Sequence, residues 1–455
     1  MGSRTKIKTK KPMSLSLETI RIRHQVREWS KSGRKHWDIH RNLWNPFVLF
    51  DATRLVIKNA GSAGVDGESI SSLKGKEWEI ARSLSEELRR KKFSPQPVKR
   101  VFIPKRDKSL RPLGIPSVRD RIVQRALVLL LEPIYEQKFL DFSYGFRPKR
   151  RAVDCVAKVA QAVYRHRYVL EADIEKFFDK VNHQKLLKFM GQEIVDSRTL
   201  KLISEYLRVG FIEPGKPWQR AQEGTPQGGP LSPLLANIYL HYVLDERFEE
   251  VFGKTERVKI FRYADDFIIT AVSVADLDFV EQLLRVWIRE ADLNLKENKT
   301  RRIDMTNEAR SHNSKFDFLG FKIHLRSFED NPKRFWIARQ PSERSRQELK
   351  LRIRDKVQPY LSLEAATLLL HQIWRGWCEY FRYSNANRIF YREINSIRKL
   401  AWRYLKRKFR RTNHPVSFGR LIVLAKELIS GIRPLTLKPN HLSQRGQQNL
   451  HNGGA

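Results

Sequence analysis

Residues 261–269 read Phe-Arg-Tyr-Ala-Asp-Asp-Phe-Ile-Ile, an apolar run that enters two adjacent carboxylates and leaves as a second apolar run. The pattern predicts a hairpin with Asp265 and Asp266 at its tip, projecting from a rigid support. An adjacent Asp pair by itself is most often a polar turn. A third acid changes the reading, because Val169 to Ile174 is another apolar run and ends in Asp173, where an adjacent strand could bring it beside Asp265. Carboxylates from two neighbouring strands are what two Mg²⁺ ions about 3.5–4 Å apart need during in-line phosphoryl displacement. The chemistry they point to is nucleotidyl transfer. Cys155 and Cys378 are the two cysteines, and His-rich metal spacing is missing, so a metal here takes oxygen ligands, as Mg²⁺ or Mn²⁺ does, and zinc does not fit.

Between the two acid-bearing runs lies Gly224-Thr225-Pro226-Gln227-Gly228-Gly229-Pro230-Leu231-Ser232-Pro233. Glycines before a helix let backbone approach a ligand closely, and Gln227 adds a donor and an acceptor. Ser232 and Pro233 read as the N-cap and first position of a helix carrying Leu235, Ile238, Tyr239 and Tyr242 on one face. Alone, such a loop is as well read as a connecting turn.

The elements that must position these residues follow from periodicity. A helical pattern from Pro46 to about Lys92 is broken by Ser94-Pro95-Gln96-Pro97. Val98 to Pro104 reads as a strand and Lys105 to Arg111 as a polar turn into a second strand, which makes a hairpin. Apolar positions at Ile122, Ala126, Leu129, Leu130 and Ile134 predict a buried helix over 118–140. Period-2 strands are expected at 168–174 and 258–272, helices at 362–382 and 386–410, and one more from Leu421 to Ile429. Strands set among helices without a regular βαβ beat predict an α+β fold. Trp374, Trp377, Tyr380 and Phe381 fall at spacing that favours a helix core over base stacking.

The chain has 455 residues, and 88 Lys and Arg against 50 Asp and Glu leave a net charge of +38. With 41% hydrophobic residues it can fill real cores, so the charge belongs to the surface of a folded protein with an anionic partner. No stretch approaches the ~18 apolar residues of a membrane span. Nor does an apolar run follow the basic Met1 to Pro12, which argues against secretion. Residues 1–45 hold 12 basic and 3 acidic residues, and residues 331–455 hold 26 and 7, so the two ends carry +28 of the total. Lys406-Arg407-Lys408-Phe409-Arg410-Arg411 is the densest basic run, read as a grip on phosphate backbone; a solvated helix face is its plain alternative.

Tyr263-Ala264-Asp265-Asp266, Asp173-Ile174-Glu175-Lys176-Phe177-Phe178-Asp179 and the 224–233 loop resemble the palm motifs of reverse transcriptases of the group II intron-encoded type. The resemblance continues, in family order, through Gly64-Val65-Asp66-Gly67, Ile103-Pro104-Lys105, Arg111 to Pro116, Ser143 to Pro148, Leu295 to Thr300 and Phe318 to Phe321. Ile373 to Phe381 resembles the family's maturase or thumb segment. The resemblance implies a right-hand polymerase fold: a basic extension (1–45), fingers and palm (46–330), a helical thumb (331–411) and a short basic C-terminal segment (412–455). It implies that Asp173 and Asp265 bind both metals with Asp266 assisting, and that Lys105 and Arg111 bind the triphosphate. Phe178 is then the bulky ring that excludes a 2′-hydroxyl, Gln227 lies near the nucleotide and template base, and Lys299 is placed near the leaving pyrophosphate. Implied partners are structured intron RNA, an RNA template with DNA primer, dNTPs and target DNA, in a bacterial cytoplasm or an organellar matrix. Family members often end in a cysteine-paired endonuclease, and the sequence after Cys378 has no cysteine for one. A free-standing reverse transcriptase of host defence or repair, a splicing cofactor with an inert polymerase, and an RNA-dependent RNA polymerase are the alternative readings.

Overall fold

A computed structural model describes residues 14–104, 110–306, 314–328, 331, 334–410, 418–430 and 432. Among these, ten strands occur: β1 (Val98–Pro104), β2 (Leu110–Ile115), β3 (Tyr168–Asp173), β4 (Phe211–Ile212), β5 (Val258–Tyr263), β6 (Asp266–Ala271), β7 (Arg301–Asp304), β8 (Lys315–Phe318), β9 (Phe321–Ser327) and β10 (Phe335–Pro341). They form three sheets, ordered β2-β1-β4, β5-β6-β3-β7 and β10-β9-β8, set among helices. The fold class is the expected α+β.

The four-stranded sheet carries the acids. β3 is antiparallel to β6 on one side and β7 on the other, and β6 is antiparallel to β5. Alternation sorts its side chains: Leu170, Ala172, Phe267 and Ile269 enter a large helical core, while Val169, Phe261, Ile268 and Ile303 enter a second core with Cys155, Val156 and Val159 of the helix Ala152–Ala162. Burial on both faces explains why β6 reads as an unbroken apolar run.

The first core is centred on the helix Val118–Tyr135, which is hydrophobic around its circumference and buried accordingly. Its start is fixed twice, by Ser117 Oγ accepting from Asp120 N (3.1 Å) and by Asp66 accepting from Val118 N (3.3 Å). The helices Leu17–Lys31 and Pro46–Asn59 pack against it. Ile22 and Val26 supply the buried face of the first, and Arg23 pairs with Glu132 at 2.7 Å. β1 and β2 form the expected hairpin, from Lys99↔Ile115 to Pro104↔Leu110. The short parallel partner β4 is unforeshadowed, because two residues carry no readable period.

The second core holds the helices Leu363–Tyr380 and Asn387–Phe409 against β8 and β9, with Trp374, Phe381, Phe390 and Ile397 buried. Of the aromatic group expected in the core, Trp374 and Phe381 are there, Trp377 is half-buried, and Tyr380 is exposed, its hydroxyl donating to Leu319 O at 2.8 Å. Glu393 is fully buried within it and is paired with Arg346 (2.6 Å) and Lys350 (3.1 Å). A last helix, Phe418–Ile429, begins slightly before the expected Leu421. Among the described residues no helix is long and apolar enough to cross a membrane.

One local expectation fails. Ser232 is not an N-cap: it lies inside the helix Ser232–Leu240, and its hydroxyl donates to Pro226 O at 2.6 Å, tying the helix to the glycine-rich loop instead. That helix is also buried on every side, not on a single stripe.

Val26 lies 2% exposed where the first helix meets the central one. Val26→Asp places an uncompensated carboxylate there and should cost about 3–5 kcal/mol, read as a lower midpoint in a urea or thermal melt; an unchanged midpoint would mean that this helix is not integral to the core.

Candidate active site

Antiparallel pairing sets Asp173, at the end of β3, directly opposite Asp266, at the start of β6. Asp265 and Ala264 form the tight turn that joins β5 to β6, with Ala264 at φ +58°. All three acids therefore stand at one end of the sheet. β3 is held there from its other edge as well, since Asp173 O accepts from Lys296 N at 2.9 Å and Glu175 N donates to Asn294 O at 2.8 Å.

The acids crowd each other. Burial, and then the charge of Asp173, raises the Asp265 carboxyl above its ordinary range, while Lys299 and Arg111 pull it back. Asp266 is pushed up to about 7, by burial first and then by Asp173, Asp265 and Glu171. Glu171, two residues before Asp173 on the same face of β3, is likewise raised by burial and is paired with Arg301 at 2.5 Å. Asp173 forms a close ion pair with the Lys299 ammonium. Among the described residues no three His, Cys, Asp or Glu side chains are arranged to hold a metal ion by themselves. What the acids offer is partly buried negative charge that the fold leaves under-compensated. Such a set fits a divalent ion that completes its shell with phosphate oxygens and water.

The nucleotide-binding candidates divide. Arg111 is on β2 opposite Ile103, near enough for its charge to act on Asp265. Phe178 is half-buried and meets the fully buried Phe177 edge-on, with centroids 5.5 Å apart, so Phe177 is the core ring and Phe178 has a face to spare. Gln227 reaches Asp179 Oδ1 at 3.4 Å, and its own carbonyl accepts from Gly114 N of β2 at 2.6 Å. The loop is pressed so closely on β2 that a Cβ at Gly228 (φ +124°) would lie 2.4 Å from Gly114 O. Its other side is fixed by Thr225 N donating to Phe178 O at 2.6 Å. Lys299 joins the acids, as above. Lys105 lies outside the described residues.

Of the basic run, Lys406, Arg407 and Arg410 are exposed at the end of the helix Asn387–Phe409. Lys408 is engaged within the fold, donating to Pro359 O (3.2 Å) and Leu361 O (2.6 Å). Arg411 lies outside the described residues. Periodicity overlooked Glu171 and the fully buried Arg262 beneath the Ala264-Asp265 turn; the signal for Arg262 was a charge at a strand position whose neighbours Val258 and Ile260 turn inward.

Comparison with known proteins agrees with this geometry. Residues 103–323 match the family described as reverse transcriptase (RNA-dependent DNA polymerase), and residues 346–420 match the group II intron maturase-specific domain. Protein YkfC of Escherichia coli (strain K12) is 33% identical over 319 residues, 62% of this chain and 82% of that protein. The chain belongs to the group II intron-encoded reverse transcriptase and maturase family. The group II intron-encoded protein LtrA of Lactococcus lactis subsp. cremoris is 29% identical over 399 residues, 73% of this chain and 65% of that protein. Among solved structures, apo telomerase from Candida tropicalis matches with a TM-score of 0.44 at 13% identity, covering 77% of this chain and 69% of that one, too distant to add to the assignment. Membership makes the enzyme an RNA-directed DNA polymerase with an RNA partner, on the right-hand fold that the motifs implied, and of a family that works with divalent ions.

The raised Asp266 carboxyl has a stability signature. At a pH below its unfolded value of 3.8 the group is protonated in both states; as pH rises toward about 7 the unfolded chain ionises freely while the folded one resists, so the metal-free fold loses stability. Asp266→Asn should therefore raise the melting temperature of the metal-free protein at pH 8 and leave it unchanged near pH 3.5, checked by calorimetry with chelator present.

Proposed function

We propose that the enzyme extends a DNA primer on an RNA template by Mg²⁺-dependent nucleotidyl transfer from dNTPs, and that it binds a structured group II intron RNA to promote its splicing and its insertion into target DNA. The observation that carries the catalytic half is the register that sets Asp173 opposite Asp266 with Asp265 beside them. Asp173 and Asp265 would hold the ions with Asp266 assisting, and the bound ions supply activation of the primer 3′-hydroxyl and neutralisation of the pyrophosphate.

The chain's own residues do the rest. Arg111, on β2, and Lys105 bind triphosphate oxygens by charge-assisted hydrogen bonds. Gln227 lies along the nucleotide and template base, on a loop that β2 and Phe178 hold in place. Phe178 presents its free face beneath the sugar and excludes a 2′-hydroxyl. Lys299, paired with Asp173, would serve the departing pyrophosphate as proton donor.

The partition into extension (1–45), fingers and palm (46–330), thumb (331–411) and C-terminal segment (412–455) goes with this reading, with the thumb helices sharing the second hydrophobic core with the palm sheet. Lys406, Arg407, Arg410 and Arg411 are proposed to grip RNA phosphates; Lys408 adds chiefly its charge, since its ammonium also donates to the carbonyls of Pro359 and Leu361. The cell interior, bacterial or organellar, is the proposed setting.

Asp173→Ala and Asp265→Ala should each abolish Mg²⁺-dependent dNTP incorporation on an RNA template, with RNA binding largely retained in a filter assay; full activity in either would sink the assignment. Phe178→Ala should raise ribonucleotide use relative to dNTP. Neutralising Lys406, Arg407 and Arg410 together should weaken RNA binding and flatten the dependence of log affinity on log salt by about 0.7 per lost phosphate contact.

A further inference from the structure

Arg262 stands on the inward face of β5 in line with Val258 and Ile260, where the core asks for an apolar side chain, yet it is fully buried. A buried guanidinium is tolerable only if its donors are met. All five are. Nε donates to Asp245 Oδ1 at 2.7 Å, and one Nη2 hydrogen bonds the other oxygen of the same carboxylate. The second Nη2 donor reaches Ser143 Oγ at 2.7 Å, and Nη1 divides between Asn237 Oδ1 (3.1 Å) and Ala264 O (3.0 Å). That last acceptor is the main chain of the turn that carries Asp265 and Asp266.

The partners are themselves built for this. Asp245 closes a five-residue π-helical turn, His241–Asp245, between the helices Ser232–Leu240 and Glu246–Phe252. A π turn carries one residue more per turn than an α-helix and so re-aims the side chains that follow. Here it leaves Asp245 wholly buried and facing Arg262. Asn237, from the preceding helix, also donates to Gly145 O at 2.6 Å, and Gly145 is packed so tightly on the turn that a Cβ there would meet Ala264 N at 2.3 Å. Ala264 keeps a left-handed conformation that a non-glycine residue holds only where its surroundings impose it.

We propose that Arg262 is the positioning residue of the catalytic turn: its guanidinium, aimed by Asp245 of the π-helical turn, fixes the Ala264 carbonyl and with it the directions in which Asp265 and Asp266 leave their strands. The proposal rests on the reading of those acids as the metal-binding catalytic groups. It requires that loosening the guanidinium lower turnover and metal affinity without loosening the grip on RNA or nucleotide.

Arg262→Lys keeps the charge but has three donors on one nitrogen, so it cannot hold Asp245 through two atoms and still reach Ala264 O. The variant and the parent protein are compared in four measurements: a thermal melt, RNA-template affinity, steady-state dNTP incorporation, and Mn²⁺ binding by electron paramagnetic resonance on a complex with a dideoxy-terminated primer and the matched dNTP. For a folded variant, RNA affinity and the KM for dNTP should stay within about twofold while kcat falls about 100-fold, as expected of a misplaced catalytic group. Mn²⁺ affinity should fall about tenfold, the loss typical of a support removed from behind a metal ligand. Unchanged kcat and Mn²⁺ affinity in folded Arg262→Lys overturn the proposal. If Arg262→Lys does not fold, Ser143→Ala removes one of the five acceptors at little cost in volume. It should lower kcat about tenfold at unchanged KM, and an unchanged kcat overturns the proposal equally. A parent protein that incorporates no dNTP on RNA would instead sink the polymerase reading, and the Mn²⁺ comparison would still decide the role of Arg262.

Discussion

Asp173 and Asp266 face each other across an antiparallel pair, an arrangement that sheets ordinarily avoid because opposed like charges repel. The repulsion must be overcome by everything around it. β3 is clamped on both edges by β6 and β7, and β6 is buried on both faces. The Asp265 turn is fastened from below by a guanidinium with no donor to spare. The two hydrophobic cores meet at this sheet, one on each face, so the packing energy of most of the chain bears on keeping a few carboxylates close together. The fold spends stability at the site to keep negative charge concentrated there.

Much of this was legible in the sequence, for physical reasons. Strands that alternate or run apolar, such as 168–174 and 258–272, declare themselves because each face must be buried. The hairpin at 98–115 is punctuated by polar turn residues, and the helix at 118–135 by its continuous apolar periodicity. What could not be read depends on long-range contact. Ser232 looks like a cap because serine before proline usually is one, yet its hydroxyl is claimed by Pro226 O across the loop. The π-helical turn at 241–245 leaves no local signature, and the side-chain partners of Arg262 lie 17 to 119 residues away. Of the site, the acids and the glycine-rich loop with Gln227 were visible as types and spacings, Arg111 and Phe178 entered only through the family resemblance, and the frame that aims the acids was not visible.

Charge required the same revision. A net +38 reads as an attraction to nucleic acid, and the exposed end of the helix Asn387–Phe409 is consistent with that. A share of the cationic groups nevertheless works inside the protein. Arg147, 3% exposed, pairs with Glu136 at 3.0 Å and donates to the carbonyls of Leu140 and Ser143; Arg346 serves Glu393, and Lys408 closes the loop at Pro359–Leu361. Guanidinium groups suit this role because a planar fork can meet several acceptors at once. Counting basic residues therefore overstates the surface available to a phosphate backbone.

The glycine-rich loop separates two kinds of information at one residue. Gln227 is attached to β2 by its main-chain carbonyl, whereas its side chain points toward Asp179. Location is thus written in the backbone, and any residue with an ordinary peptide group preserves it. The side chain is independent of that anchor and can be exchanged without dislodging the loop. Position 227 is accordingly a place where natural variation or deliberate redesign can change the side chain while the scaffold stays as it is.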